Sequence, residues 1–583
     1  MSRALPSPAP RALGFGPSGW SRRALSLVDL YVLLGLAAVI YLGARLALGA
    51  PKSIAGPEID LSVVALPRLA LLSLGRMTAA YALSLVFSLA YGYTAARHLG
   101  ARKVLLPVLD VLQSVPILSF LPVAVLGLSA VLPARLAAEL AAVLLIFTSQ
   151  AWNMTFSFYQ SVSTVPSELR EASAVFRLNP WLRFRTLELP FGMVGLIWNS
   201  MMSWAGGWFF LMASEMFQVG RRDFRLPGLG SYLQTAAQRS DHVALACGLG
   251  TLVGVIVLLD RLIWKPLLAW AERFKIETTE QEAPLLPSRR LLARSRLLRA
   301  LSRSILRPLA LRLDQAFDRL RDRRPGLLTP EPIAAPRSRL RWLWRGAFAL
   351  ALAWATLRAV LMLHAVPAAT WGRIGLAVLW TGGRVAIALL VALAWTLPIG
   401  ILIGSSGRLS RSLQPVVQVL AAVPATALFP ILLLGLLRLP HGLEVAAVLL
   451  MLMGTQWYLL FNTIAGASTI PVDLRYTAAM LRLGGWQTQR VLVLPALFPF
   501  LVTGGVAASG GAWNASVVAE HVEFAGSSHD VPGIGAMIAQ ATSRGDYALL
   551  LAATLALVGT VVLINHFLWQ RLYRLAERRY RLD

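Results

Sequence analysis

Two stretches of this sequence carry charge in surroundings that otherwise have little. Residues 166–190, PSELREASAVFRLNPWLRFRTLELP, hold three glutamates and four arginines. Residues 471–495, PVDLRYTAAMLRLGGWQTQRVLVLP, repeat the frame: Pro166, Trp181 and Pro190 recur 305 positions on as Pro471, Trp486 and Pro495. Carboxylates and guanidinium groups can serve catalysis or contact, and catalysis needs partners that are absent here. The chain has no H-E-x-x-H, no clustered histidines and no G-x-S-x-G elbow, so no catalytic residue is expected. It has no Gly-Lys dipeptide, so no phosphate-cradling loop of the G-x-x-x-x-G-K-[ST] kind. Cys247 is the single cysteine, which leaves no metal site or disulfide to build from cysteine.

A second set of candidates lies within apolar runs. Glu215 and Glu520 occupy equivalent places, and an ionisable residue in such a run is either functional or paired with a neighbouring arginine or headgroup water. Pro116, Pro122, Pro424 and Pro430 interrupt two equivalent runs, as simple kinks or as openings whose freed carbonyls line a cavity. Gln113, Ser114, Pro116, Pro424, Glu215 and Glu520 are therefore the candidate lining of a pathway. Arg76 and Arg384 each open a long apolar run, and their type suits an interfacial anchor better than an anion attractor. Trp152, Trp208, Trp457 and Trp513 suit packing or an interfacial belt.

The elements that must position these residues follow from composition. Of 583 residues 57% are hydrophobic and 14% charged, and mean hydropathy is +0.63, far too apolar for a soluble domain. Continuous apolar runs of about 20 residues are helical spans; a barrel would need short alternating segments. Six spans fit the first half, near 28–49, 69–96, 108–132, 137–160, 191–217 and 242–268. Six more fit the second, near 343–365, 377–404, 415–437, 442–464, 496–520 and 547–570. The expected fold is an all-α polytopic membrane protein of about twelve transmembrane helices.

The halves are copies. PGLG from Pro227 recurs as PGIG from Pro532, Trp208 as Trp513, Asp241 as Asp546, and AER from Ala271 as AER from Ala576, all at an offset of 305. Upstream the offset is 308, as in Arg76 with Arg384 and Pro107 with Pro415, so a small indel lies between Gly127 and Trp152. An even number of spans per copy makes this a parallel repeat of two six-helix halves, a symmetry that often marks a pathway between them. The expected organisation is a basic tail at 1–27, a first half at 28–274, a basic linker at 275–342 and a second half at 343–583.

A net charge of +27 in a soluble protein would suggest nucleic acid. Here arginines bracket apolar spans, as the positive-inside rule and anionic headgroups require, and no nucleic-acid partner is expected. The rule puts both termini, the linker and both charged loops in the cytoplasm. Residues 218–241, with Arg221, Arg222, Arg225 and Arg239, break it by falling outside. Leucines at helical spacing among the arginines of residues 289–313 read as a helix on an anionic membrane surface, or as a solvated linker.

After Pro166, Ser167 is a good N-cap, and Glu168 and Glu171 suit the positive end of a short helix. Leu169, Ala172 or Ser173, and Phe176 should share one face, as should Leu474, Ala478 and Leu481 in the second copy, with Arg170, Arg177, Arg475 and Arg482 elsewhere. By itself one such helix would be an interfacial helix resting on lipid; two at equivalent positions, each followed by Leu-Pro and a span, argue for more.

These residues resemble the EAA loop in permease subunits of binding-protein-dependent ABC importers, a Glu-Ala-Ala triplet, then a glycine, with Leu-Pro nineteen positions on. The first copy keeps Glu171, Ala172, Leu189 and Pro190, with Ser173 for the second alanine and Arg177 at the glycine position. The second has Tyr476, Thr477 and Ala478 at the triplet and Arg482 at the glycine position, with Gly484 two residues later. LQSVPILSFLPV from Leu112 and WNASVVAEHVEF from Trp513 resemble helices of the nitrate, sulfonate and taurine branch. The resemblance implies a fused permease in the bacterial inner membrane that moves a small solute, an oxyanion such as nitrate or a sulfonate. It implies separate ATPase subunits that use the ATP and dock on the two loops, an extracytoplasmic solute-binding protein, and no cofactor bound by this chain. A secondary carrier with two six-helix halves is the alternative, but it needs no docking loop.

Overall fold

A computed structural model describes residues 27–271 and 339–579, apart from Lys52, Arg177, Gly220, Arg221, Ala525 and Gly526. The basic tail up to residue 26 and the linker up to residue 338, with its expected surface helix, lie outside these residues; residues 339–342, expected as linker, begin a helix.

The described chain is almost wholly helical. The first half runs α1 (Leu27–Ala47), α2 (Leu66–Arg97), α3 (Leu99–Ser114), α4 (Leu121–Ser129), α5 (Ala134–Ser163), α6 (Ser167–Val175), α7 (Pro180–Arg183), α8 (Leu189–Glu215), α9 (Leu229–Gln238), α10 (His242–Leu259) and α11 (Lys265–Ala271). The second half repeats this order. Its helices are α12 (Arg339–His364), α13 (Ala368–Ser405), α14 (Gly407–Ala422), α15 (Ala425–Leu436), α16 (Gly442–Thr469), α17 (Val472–Met480), α18 (Gly485–Thr488), α19 (Leu494–Ala519), α20 (Ile534–Arg544), α21 (Tyr547–Ile564) and α22 (Gln570–Arg579). One π-turn precedes α8 and another α19, and the same insertion precedes α11 and α22. Two short antiparallel hairpins, β1 (Gln218–Val219) with β2 (Arg222–Asp223) and β3 (His521–Phe524) with β4 (Ser527–Asp530), follow α8 and α19.

Among the described residues seven helices are long and apolar enough to cross a membrane, or nine if two bent pairs each count as one span. The apolar segments Leu34–Ala47 and Leu350–His364 are shorter, so length and hydropathy alone do not establish twelve spans. The bent pairs correct the two spans expected to be continuous near 108–132 and 415–437. Helix α3 meets the Ile117–Ser129 segment at 86°, and α14 meets α15 at 75°. The breaks fall at Val115-Pro116 and Val423-Pro424, where each valine is extended, as steric clash with a following proline demands. Residues 97–107, left between the expected spans 69–96 and 108–132, are mostly helix from Leu99 on.

Within each half three long helices form the core: α2, α5 and α8 pack together, as do α13, α16 and α19. The halves then interlock. Helix α1 packs on α12 and α21, α9 and α8 on α15, and α4 on α20. Hydrogen bonds cross at related places: Asn514 Oδ1 accepts from Ile117 N at 2.5 Å, and Thr426 Oγ1 donates to Phe209 O at 3.1 Å. Phe209 and Asn514 are repeat equivalents, and Thr426 is the equivalent of Leu118, the neighbour of Ile117; Leu118 N also lies 3.4 Å from Asn514 Oδ1.

Candidate functional site

The strongest polar constellation occurs twice inside the apolar core. The Arg76 guanidinium on α2 donates to both Glu139 oxygens at 2.6 and 2.7 Å, to Glu215 Oε1 at 2.8 Å and to Pro227 O at 3.0 Å. Glu215 Oε1 also accepts from Ser73 Oγ at 2.6 Å, and Oε2 accepts from Gly230 N, in the first turn of α9, at 2.7 Å. In the second half Arg384 donates to Glu444 at 2.6 and 2.8 Å, to Glu520 Oε1 at 2.8 Å and to Pro532 O at 2.8 Å. Thr381 Oγ1 and Gly535 N complete it at 2.7 and 2.8 Å. Both inner glutamates are 0% exposed and both arginines at most 5%.

These contacts bear on two of the expectations for buried charge. Glu215 and Glu520 are each paired with an arginine. Arg76 and Arg384 are no interfacial anchors, because their guanidinium groups are buried among carboxylates. A buried charge is tolerable only when paired and hydrogen-bonded, and each group here has several partners. The repeated PGLG and PGIG gain a reason as well. A Cβ on Gly228 or Gly533 would sit 2.3 or 2.2 Å from the carboxylate of Glu215 or Glu520, so the motif is a cradle shaped around that side chain.

The networks hold the C-terminal ends of α8 and α19, and α9 and α20, against the central helices. Between these elements a cavity of about 120 Å³ lies at the junction of the halves. Its apolar wall is largely built from repeat equivalents: Leu121 corresponds to Phe429, Pro122 to Pro430, and Ala213 to Val518. Three polar side chains join them, Gln218 on β1, Gln234 on α9 and His521 on β3. His521 is paired with Asp530, whose other oxygen accepts from Gln540 Nε2 at 3.0 Å.

Of the residues expected along a pathway, Pro116 and Pro424 are buried at the helix breaks, close to this wall, and Gln113 is exposed. The Ser114 side chain lies outside the described residues. Glu215 and Glu520 stand behind the wall rather than on it. Sequence reasoning missed Glu139 and Glu444, although they recur at the offset of 305 and are acidic in apolar runs. It missed Gln234 too, and there the repeat is silent, because Ala539 stands at the equivalent place.

At the opposite end of the core the charged loops form α6 and α17. Helix α6 starts at Ser167, with Pro166 rather than Ser167 at the N-cap position. One face is held inward: Ser173 and its equivalent Ala478 are buried. Arg170 Nη2 donates to Ser163 O at 2.7 Å, and Arg475 Nη2 donates to Ala467 O at 2.7 Å, so these arginines clamp each helix to the preceding span. The apolar tips point out: Phe176 is 75% and Met480 84% exposed, and Val175, Leu481, Tyr476 and Trp486 are exposed as well. The expected common faces are thereby corrected. Phe176 and Leu481 turn away from the body: Ser173 and Ala478 hold the inward place, and Arg170 and Arg475 reach along the helix to carbonyls at the end of the preceding span.

Glu171, Ala172 and Thr477 are also exposed, and Gly484 N donates to Gln487 Oε1 at 3.0 Å as it opens α18. Trp181 stacks on Phe184, and Pro190 and Pro495 lie in the first turns of α8 and α19. Arg177 lies outside the described residues. Its equivalent Arg482 has φ of 52°. Leu483 N donates to Ala478 O and Arg482 N to Ala479 O, which closes α17 with a left-handed residue where glycine is the usual choice. Among the described residues only the first loop is tied ionically to its neighbour: Glu188 pairs with Arg97 and Arg183, whereas Val493, Ser405 and Thr488 hold the equivalent places. Two of the arginines in the stretch 218–241, expected to lie outside, have structural partners, Arg222 donating to Pro51 O and Arg225 pairing with Asp223.

Two successive stretches, residues 86–263 and 396–582, match the family described as binding-protein-dependent transport system inner membrane component. The chain is 32% identical over 172 residues to a nitrate import permease protein of Synechococcus elongatus, covering 30% of this chain and 58% of that protein. It is 28% identical over 184 residues to a bicarbonate transport system permease protein of the same organism, covering 32% and 63%. A Bacillus subtilis protein provisionally named as an aliphatic sulfonates transport permease is 33% identical over 159 residues, covering 27% and 54%. The chain spans about half the length of the curated relatives it matches.

Proposed function

Since this chain belongs to the family of binding-protein-dependent transport system inner membrane components, we propose that its two matched stretches act as the paired membrane halves of an ABC importer. Residues 28–274 and 343–583 are the halves, and 275–342 join them on the cytoplasmic side, where both termini also lie. An extracytoplasmic binding protein delivers a small oxyanion, of the kind named for the nitrate, bicarbonate and sulfonate relatives, to the junction of the halves. Separate ATPase subunits bind ATP and dock on α6 and α17.

The observation that carries this reading is the paired exposure of apolar tips at repeat-equivalent positions, Val175 and Phe176 on the first loop, Met480 and Leu481 on the second. A helix resting on lipid would keep its basic residues outward; here Arg170 and Arg475 bind the protein body and the tips stand free among the described residues. Each helix is bracketed by membrane helices, so a docking motion passes to both instead of being absorbed by slack chain.

Co-purification of the tagged chain from its native membrane tests this. An ATPase should accompany the unchanged chain and be lost with Phe176→Asp and Leu481→Asp, or with Glu171→Lys and Tyr476→Lys, while the permease stays folded. Absence of any ATPase from the unchanged chain in mild detergent, with uptake that a protonophore stops at constant ATP, would replace this reading by a secondary carrier.

A further inference from the structure

The cavity at the junction of the halves breaks the symmetry that builds it. Its apolar wall comes from equivalent residues, but its polar groups do not. Gln234 faces it from α9 where the second half has Ala539, and His521 faces it from β3 where the first half has Met216. Gln234 is 9% exposed, and its Oε1 has no hydrogen-bond partner. A buried polar group without a partner is rare and costs stability unless something else uses it. Rotation of the carboxamide exchanges this acceptor for the Nε2 donors, so the side chain can offer either to a guest.

We propose that Gln234, with Gln218 and His521, is the polar contact point for the transported ion inside the membrane core, supplied unequally by the two halves. The ion it suits is a small, singly charged oxyanion. Among the described residues no arginine or lysine lines the cavity, so they supply no full fixed charge to replace the water shell of a multiply charged ion. The rest of the wall, Leu121, Pro122, Phe429, Pro430, Val517 and Val518, favours an ion that sheds water readily. The cavity is large enough for such an ion with part of its water shell. A weak, sparse set of hydrogen bonds also lets the ion leave again, which transport requires. The two arginine–glutamate networks stand directly behind these residues. Glu215 fixes the first turn of α9, which carries Gln234, and Glu520 immediately precedes His521, so the contact point is held without its charges reaching the cavity.

This inference rests on the oxyanion reading, and the test separates the two. Uptake of labelled nitrate, bicarbonate and a short aliphatic sulfonate is measured in cells producing the full chain with its own partners, with the amount of chain in the membrane recorded. The unchanged chain should carry at least one of these ions. Gln234→Glu, which puts a like charge in the cavity, should lower that uptake more than tenfold. Gln234→Met, which keeps the volume and removes the hydrogen bonds, should lower it about tenfold. His521→Met should change the nitrate to bicarbonate ratio. If Gln234→Glu is lost from the membrane, Gln234→Met decides. Uptake unchanged in the Gln234 variants overturns the contact point and leaves the transport reading standing. Uptake of neither nitrate nor bicarbonate, nor of the labelled short aliphatic sulfonate, by the unchanged chain overturns the oxyanion reading, and this occupant of the cavity with it.

Discussion

Removing one member of a buried ionic cluster is costlier than the cluster is worth, because the remaining charge stays buried and unpaired. Arg384→Met should therefore lower stability by about 3–5 kcal/mol, since Glu520 has no exposure and would keep only Thr381 and backbone donors. The double change Arg384→Met with Glu520→Gln should recover part of that loss. Thermal unfolding in lipid nanodiscs reads both, and equal stabilities for the single and double variants would reject the argument. Arg482 offers the opposite case. It holds φ of 52°, a conformation that costs a side-chain-bearing residue about 1–2 kcal/mol and costs glycine little. Arg482→Gly should raise stability, by less than that penalty because glycine also enlarges the freedom of the unfolded chain. The usual glycine of the EAA pattern was visible in the sequence as a mismatch; the backbone angle supplies its physical meaning.

At the scale of elements, the two bent pairs show where proline changes more than a local angle. Pro116 and Pro424 force an extended residue before them, and the chain resumes as helix in a new direction, α4 or α15, against the other half. Alanine in place of Pro424 restores a backbone donor and frees Val423 to be helical, so α14 and α15 should tend to join. Solute uptake should fall several-fold while total helix content by circular dichroism stays constant; undiminished uptake would show that the bend is incidental. The prolines and their repeat were legible in sequence, but not the angle, because a kinked span and a broken one share the same residues. The short helices α6 and α17 were also legible, from proline, acidic first turns and following Leu-Pro. Which face turns outward was not, since Arg170 and Arg475 take their direction from carbonyls of the preceding span.

For the whole molecule, the interlocked halves make one unit. Helix α1 packs on α12, and Tyr547 Oη donates to Ala47 O at 2.8 Å, so the ends of the two copies meet. Two polypeptides cut at residue 300 and produced together should associate and co-purify in detergent, because the interface does not run through the linker. Separate elution would mean that the linker, not packing, keeps the halves together. Membrane class, duplication, offset and the paired loops were set by the sequence itself, because hydropathy, spacing and repetition are one-dimensional properties. The joining of Arg76 to Glu139 and Glu215, the placement of Gln234 and His521 on one cavity and the outward turn of Phe176 and Met480 were decided by tertiary structure alone. Each depends on side chains from separate helices, brought together by packing that no local pattern encodes.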